Sequence, residues 1–515
     1  MESLGIMIGT KGVIKKHEFV RIIIQCLYSL GYEKSAACLE TESNISCKSR
    51  EFESLESHVL SASWDDCIET LNRINGMNDE TRASALFLVL EQFLFECLNC
   101  GDNSLALEIL QKRIACLKVD KEKIHKCAFE MLFLKQRGRG SVDCNVIHEL
   151  RKGLVVKLEK VLPPPISLPD RRLEHLVETA VSAQIDNCIY HCSDMESLYE
   201  DHHCDRDQFP TETIQTLTNH MNEVWFVQFS NYGQYLASSS SDCTAIIWNV
   251  QEDNKVSLKH ILRSHQNPVS FVAWSPNDTM LLTCGNIEVL KLWDVETGTC
   301  KHTFGNDGFI VNSCAWFPDS KRIVCGSSVP KNGIYMWDCD GNEIKAWKGV
   351  RMPKVLDIAV TADGERLISI LSDKEIRILN VATNAERVIS ENHSITSLST
   401  SRDSKFLIVN LNSQEIHVWD ISGNGSEPFQ YRGHKQQKYV IRSCFGGFNS
   451  LFIASGSEDS KVYIWNRRYS SPIEVLSGHL NTVNCVSWNP RKPQMLASAS
   501  DDQTIRIWGP SSMFH

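Results

Sequence analysis

Three groups of residues in this 515-residue chain carry side chains capable of chemistry. Cys97-Leu98-Asn99-Cys100 is a CxxC, the spacing of a redox pair or of half a zinc site. His191, Cys192, His202, His203 and Cys204 gather soft donors suited to zinc within a short stretch. In the second half, His recurs with Asp and Ser, the residue types of a hydrolytic triad: His220 with Asp242, His434 with Asp459, His479 with Asp502.

Each group has a plainer reading. A structural zinc site needs four ligands, and no second CxxC accompanies Cys97. A thioredoxin-like pair wants a βαβ setting, which the helical pattern around Cys97 does not offer. The spacing of the second group matches no familiar zinc pattern. The His, Asp and Ser combinations return at a fixed period, as scaffolding does and catalysis does not. No phosphate-binding Walker loop, HExxH or GxSxG elbow occurs. The sequence therefore predicts no catalytic residue, no metal and no cofactor.

The period itself decides the fold of the second half. A hydrophobic run ending in Trp then Asp or Asn occurs at Trp248, Trp293, Trp337, Trp419 and Trp465, and a last run ends at Trp508-Gly509. Leu379-Asn380 fills the gap where a further copy is due, giving intervals of 40 to 46 residues. That spacing, with Gly-His and Trp-Asp punctuation, is the signature of WD40 blades. Seven copies close a β-propeller over 212–515. The chain stops three strands into the last copy, so Thr213–Leu217, which alternates like a strand, is expected to close the ring. Closure removes an edge that would otherwise pair with other chains.

Composition is that of an ordinary globular protein, 42% hydrophobic and 23% charged. A net charge of −10 argues against general nucleic-acid binding and for protein partners. The 20 Cys are scattered behind an amino terminus without a signal-peptide pattern, so most are expected to be reduced and buried. The longest apolar runs, near Ile22–Ile24 and Leu86–Leu90, look too short to span a bilayer. The expected setting is cytoplasmic, with the nucleus a further possibility, and without membrane.

The first half reads as helices. Phe19, Ile23, Leu27 and Leu30 keep helical spacing, and Gly31 stands where a left-handed cap belongs. A second helix runs from Lys34 to about Glu42. Val20, Ile22 and Ile24 make the first helix apolar on more than one side, a surplus that calls for a partner chain or domain. Ala83–Leu98 is apolar nearly all round, so a central buried helix is expected. Gly101-Asp102-Asn103-Ser104 stops it and caps the next, whose face is Leu107, Leu110, Ile114 and Leu117. Pro163-Pro164-Pro165 breaks a later helix, and Leu173, Leu176, Val177 and Ala180 restart one.

Residues 13–47, with Phe19, Ile23, Leu27, Leu30-Gly31-Tyr32, Ser35-Ala36 and Leu39, resemble the LisH dimerisation motif. Residues 48–110 resemble the CTLH domain through Trp64-Asp65-Asp66, Phe87, Gln92-Phe93-Leu94, Gly101-Asp102 and Ala106-Leu107-Glu108, with Ser63 where Gly is usual. Similar sequences carry a CRA extension at 111–192, and 193–211 reads as an acidic linker. The fold class is thus α plus all-β: a helical LisH-CTLH-CRA region followed by a seven-bladed WD40 propeller.

This order resembles the WD-repeat subunits of CTLH, or GID, E3 ubiquitin-ligase complexes. The resemblance implies a non-catalytic scaffold that dimerises with itself. It also implies association with sister LisH-CTLH subunits, including RING-bearing ones and Ran-binding-protein-like scaffolds. Phe19, Ile23, Leu27, Leu30, Tyr32 and Leu39 would carry dimerisation. WD40 resemblance implies hydrogen-bonded sets in three blades: His220, Asp242 and Trp248; His434, Asp459 and Trp465; His479, Asp502 and Trp508. Ile287, Lys331 and Ser413 replace the turn Asp in three other blades; Asp373 is present in the last, but Leu379 replaces its Trp. Trp225, Arg351, Arg442 and Asn484 are the candidate partner contacts at the narrow mouth of the ring, Trp and Arg being common anchors. Trp465-Asn466-Arg467-Arg468 resembles a box that docks propellers onto the cullin-4 adaptor, with Arg467 and Arg468 as its contacts. A signalling or corepressor scaffold is the other alternative.

Overall fold

The computed structural model describes residues 6–74, 76–117, 122, 125, 129, 144–191, 197–285, 289–305, 310–327, 329, 333–347, 354–372, 374–423 and 427–511. The sequence features at Cys192, Ile287, Lys331, Arg351 and Asp373, and the first residues of the acidic stretch, 193–196, lie outside the described residues. The chain divides into two compact units, Met1–Ser182 and Ala183–His515.

The first unit is helical. Helices Lys16–Ser29 and Glu33–Ser43 form the amino-terminal pair. Gly31 takes φ +84°, and Tyr32 N–H reaches back to Leu27 O at 2.8 Å, so the chain turns where the cap was expected. Ile24 and Ala36 are fully buried. Arg21 anchors the pair by donating to Cys47 O, Pro165 O and Ile166 O.

Helix Asp79–Cys100 is the core element of this unit. Its 22 residues are long and apolar enough to cross a membrane, contrary to the short-run reading. Here Ala85, Phe87, Val89, Leu90, Leu94 and Cys97 are buried in the unit's two hydrophobic clusters. Its one buried carboxylate, Glu96, receives both Arg151 Nε (2.9 Å) and Nη2 (2.7 Å). The Arg151 guanidinium also lies over the Trp64 ring. Such bidentate pairing offsets the cost of burying charge.

Gly101 at φ +81° and the Asp102 side chain, accepting from Leu105 N–H, end one helix and start the next. That next helix departs from expectation. After Asn103–Glu108 it widens into a π-helical turn, Ile109–Ile114. The wider turn rotates the apolar face, so Ala106, Ile109 and Ile114 are buried while Leu107 is exposed.

The second unit is a ring of seven four-stranded antiparallel sheets. The first six blades take their strands in chain order. In the seventh, Val483–Trp488, Leu496–Ser500 and Ile505–Pro510 are completed by Pro210–Leu217, which pairs antiparallel to the last strand. The closing strand is longer than the sequence indicated and carries two bulges.

The stretch before it is more than a linker. Phe209 is fully buried against Phe452 and Trp488. Tyr190 Oη donates to Glu474 Oε1 at 2.9 Å, and Arg206 pairs with both oxygens of the same carboxylate. Its acidic composition hid these few anchoring side chains.

Candidate partner-binding surface

Blades one and seven hold the same polar chain. His220 Nδ1 lies 2.9 Å from Asp242 Oδ2 and its Nε2 2.8 Å from Ser238 Oγ, which accepts from Trp248 Nε1 at 3.0 Å. In blade seven, His479 reaches Asp502 at 2.8 Å and Ser498 at 2.7 Å, and Trp508 donates to Ser498 at 2.8 Å. For a neutral imidazole the bonds run in one proton order: Trp to Ser, Ser to His, His to Asp. Burial pushes the Asp242 and Asp502 carboxyls up. The bonds from His, from Thr244 or Thr504 and from backbone N–H outweigh it, leaving both well below the usual range. The serines complete the sets and went unnamed as partners in the sequence reading.

Blade six does not form its expected set. Ser455 Oγ turns to Gly456 O, and Trp465 Nε1 donates to Arg432 O. Asp459 accepts from Tyr463 Oη at 2.8 Å instead of His434. His434 keeps only a 3.4 Å contact to Gln436 among its described hydrogen bonds, and burial lowers its pKa. Tyr463 captures the carboxylate, so the blade is pinned differently although all three residue types are present.

Two blades read as incomplete carry substitutes. Thr283 bridges His265 and Trp293 at 2.7 and 2.8 Å in blade two. In blade five, Glu391 accepts from Trp419 Nε1 at 2.6 Å and contacts His417 Nδ1 at 2.9 Å.

These sets hold the loops that enter each inner strand. Asp242 also accepts from Met221 N–H, and Asp502 from Leu480 N–H. Met221 and Leu480 are each 82% exposed. Glu458 Oε1 accepts three successive amides, of Gln437, Lys438 and Tyr439, which presents exposed Tyr439 and Val440 from the matching loop of blade six. Trp225, half-buried beside Met221 in chain order, is held by Glu223 at 3.0 Å. Consecutive blades six, seven and one thus show apolar side chains from equivalent loops, an arrangement uncommon without a partner. The sequence signal was available: Met221 and Leu480 directly follow the His of their blades, where loops are usually polar.

Arg442 and Asn484, expected at this mouth as contacts, are used internally. Asn484 is buried and donates to Val224 O and Asp501 Oδ1. Arg442 is committed to Asp357 and to the rings of Phe226 and Phe271. The two expected docking arginines are also engaged. The Arg467 guanidinium stacks on Phe406 at 3.9 Å and donates to Ser450 O. Arg468 binds the Asp186 carboxylate and carbonyl. Asn466 is buried and donates to Ile189 O.

In the helical unit, Phe19, Ile23, Leu27 and Leu39 are only half-buried, and Leu30 and Tyr32 are 58% and 60% exposed. Ile6, Met7, Val13 and Ile14 add exposed apolar surface from the short hairpin before the first helix. Cys97 is a buried helix-end thiol, pushed up to about 11 chiefly by burial, which makes it a poor redox nucleophile.

The WDR26 Lis-homology domain model matches residues 5–49. The WD domain, G-beta repeat model matches 211–249, 425–466 and 470–509, and that of the eukaryotic translation initiation factor eIF2A matches 240–352. The chain is 64% identical over 509 residues to WD repeat-containing protein WDS homolog of Arabidopsis thaliana, covering 98% of this chain and 97% of that one. It is 44% identical over 513 residues to WD repeat-containing protein 26 homolog of Arabidopsis thaliana, covering 98% and 86%. It is 33% identical over 502 residues to GID complex subunit 7 of Schizosaccharomyces pombe, covering 95% and 96%. The chain belongs to the family of WD repeat-containing protein 26 and GID complex subunit 7.

Proposed function

We propose that this protein is a non-catalytic scaffold of a GID-type E3 ubiquitin-ligase complex, working in the cytoplasm and nucleus. Its LisH-CTLH half joins a second copy and sister subunits, including RING-bearing and Ran-binding-protein-like ones. Its propeller receives substrates or regulators. Tethering raises their effective concentration at the ligase, and pairing of copies adds avidity.

The observation that carries this reading is the uncovered LisH face. Leu30 and Tyr32 stand more than half exposed beside half-buried Phe19, Ile23 and Leu27, in a segment matched by the Lis-homology model. A single chain leaves such a face wet, and a second helical pair would cover it. The engagement of Arg467 and Arg468 within the propeller weighs against cullin-4 adaptor docking.

The test is affinity purification of the full chain and of a Leu30→Glu, Tyr32→Glu variant, with mass photometry of both. The reading expects a dimer or larger for the parent, co-purification of RING-bearing LisH-CTLH proteins, and loss of self-association in the variant. A monomeric parent that captures none of those proteins would overturn it.

A further inference from the structure

Cys188, His191, His202 and Cys204 come together in the stretch leading into the propeller. One ligand atom from each lies within 4.8 Å of every other. His191 Nδ1 is 3.0 Å from His202 Nε2, and Cys204 Sγ is 3.3 Å from the same nitrogen. We propose that these four residues hold a structural zinc ion that ties this segment to itself where it packs on the sixth blade.

The donor chemistry fits. Two thiolates and two imidazoles form the Cys₂His₂ set of closed, tetrahedral zinc sites. With zinc–sulfur bonds near 2.3 Å and zinc–nitrogen bonds near 2.0 Å, the edges of that tetrahedron are about 3.3–3.8 Å. The observed spread, at most 4.8 Å, therefore lies within about 1.5 Å of a loaded site. Four protein ligands leave no open position, so the ion would serve structure and not catalysis.

The backbone fits as well. Cys188 and His191 flank a turn that follows the helix Arg172–Asn187, whose end is closed by Cys188 N–H on Ile185 O. His202 and Cys204 are two residues apart, the spacing that places side chains on one side of an extended chain. His203, between them, points outward to Asp205 and is 81% exposed. His191 and Cys204 are buried, and the Phe448 ring stands edge-on to His191. Around the cluster, the segment is already held by Asn466 on Ile189 O and by Tyr190 and Arg206 on Glu474. Proximity in sequence groups His203 with these donors and passes over Cys188, which sits just past the helix end at Asn187; Cys192 lies outside the described residues. Without Cys188 the spacing matches no familiar zinc pattern.

The test uses the full-length chain, purified without a histidine tag or chelator. Elemental analysis is expected to find stoichiometric zinc. That zinc is expected to persist in His203→Ala and to be lost in Cys204→Ser and His202→Ala. Cobalt added to the chelated protein is expected to give thiolate charge-transfer and tetrahedral d–d bands. Chelation is expected to lower the propeller's Tm by about 5 °C or more, since the ion binds the folded form. Zinc-free parent protein that also yields no such cobalt spectrum overturns the proposal. Zinc retained in full by Cys204→Ser overturns it too. The metal content and cobalt spectrum of the parent decide the matter even if a variant fails to fold.

Discussion

Arg442 Nη1 lies 2.6 Å from Asp357 Oδ2, and through this pair all seven blades are joined. Asp357, in blade four, accepts from Ser313 Oγ of blade three and from Leu398 N–H of blade five. Arg442, entering blade six, lies over Phe226 and Phe271 of blades one and two. Its backbone bonds Asn484 and Val486 of blade seven. Removing one partner strands a buried charge, so Asp357→Ala should cost about 3–5 kcal/mol. Combining Asp357→Leu with Arg442→Met should cost clearly less than the sum of the two single changes. Urea melts of the four proteins check this; simple additivity would show that the pair is not coupled.

The intact and broken polar sets predict unequal mutants. Asp502 accepts from His479, Thr504 and Leu480. Asp459 has Tyr463 as its described side-chain donor, and its Oδ1 has no hydrogen-bond partner among the described residues. Asp502→Ala should therefore destabilise by about 2–4 kcal/mol, and Asp459→Ala by about 1 kcal/mol or less. Equal losses in thermal melts would contradict the assignment.

The same carboxylates set an acid limit. Asp242 and Asp502 hold their protons less tightly folded than unfolded, since the bonds they accept outweigh burial. Their contribution is fully present above the unfolded carboxyl value, about pH 4, and drains away as pH falls toward their lower folded values. Stability of the parent should fall steeply below about pH 4. Asp502→Asn, less stable at neutral pH, should fall less steeply. Melting temperatures across pH 2–7 test the slope.

The anchored stretch moves the truncation boundary. With 193–211 read as a linker, the sequence alone predicts that deleting residues 1–205 spares the propeller. Tyr190 and His191 contact Glu474 and Phe448 of the sixth blade, so a chain starting at 206 should melt below one starting at 183. A chain starting at 221 lacks the whole closing strand Pro210–Leu217 and should aggregate. Matching melts for the first two would make the stretch a mere linker.

Period and punctuation made the ring legible, because six Trp-ending runs and the Leu379 copy between them leave one solution for their strands. Capping was legible too, since Gly31 and Gly101 sit at positive φ where few other residues do. What escaped was long-range partnering. Arg442 looked like an anchor because nothing in its neighbourhood announces Asp357, 85 residues earlier. Tyr463 displacing His434 from Asp459, and Cys188 joining His202, are likewise contacts between side chains that no spacing rule connects. The π-turn at Ile109–Ile114 shifted a helical face by changing the period on which the face was read.

With Arg442 and Asn484 committed inward, the rim of blades six, seven and one is left with Met221, Leu480, Tyr439 and Val440 as its exposed apolar groups. Their loops are fixed by bonds from Asp242, Asp502 and Glu458, so the side chains are presented without a further ordering cost on binding. Met221→Glu combined with Leu480→Glu should leave the Tm within about 1–2 °C of the parent, since neither side chain packs in the core. The same pair should abolish capture of propeller-bound proteins while sparing association through the LisH half. An uncharged pair on exposed outer-strand positions of blades one and four, Leu258→Gln with Val388→Gln, should spare both. Quantitative mass spectrometry of complexes recovered with each variant separates the outcomes, and retention of every partner by the glutamate variant would place the receiving surface elsewhere.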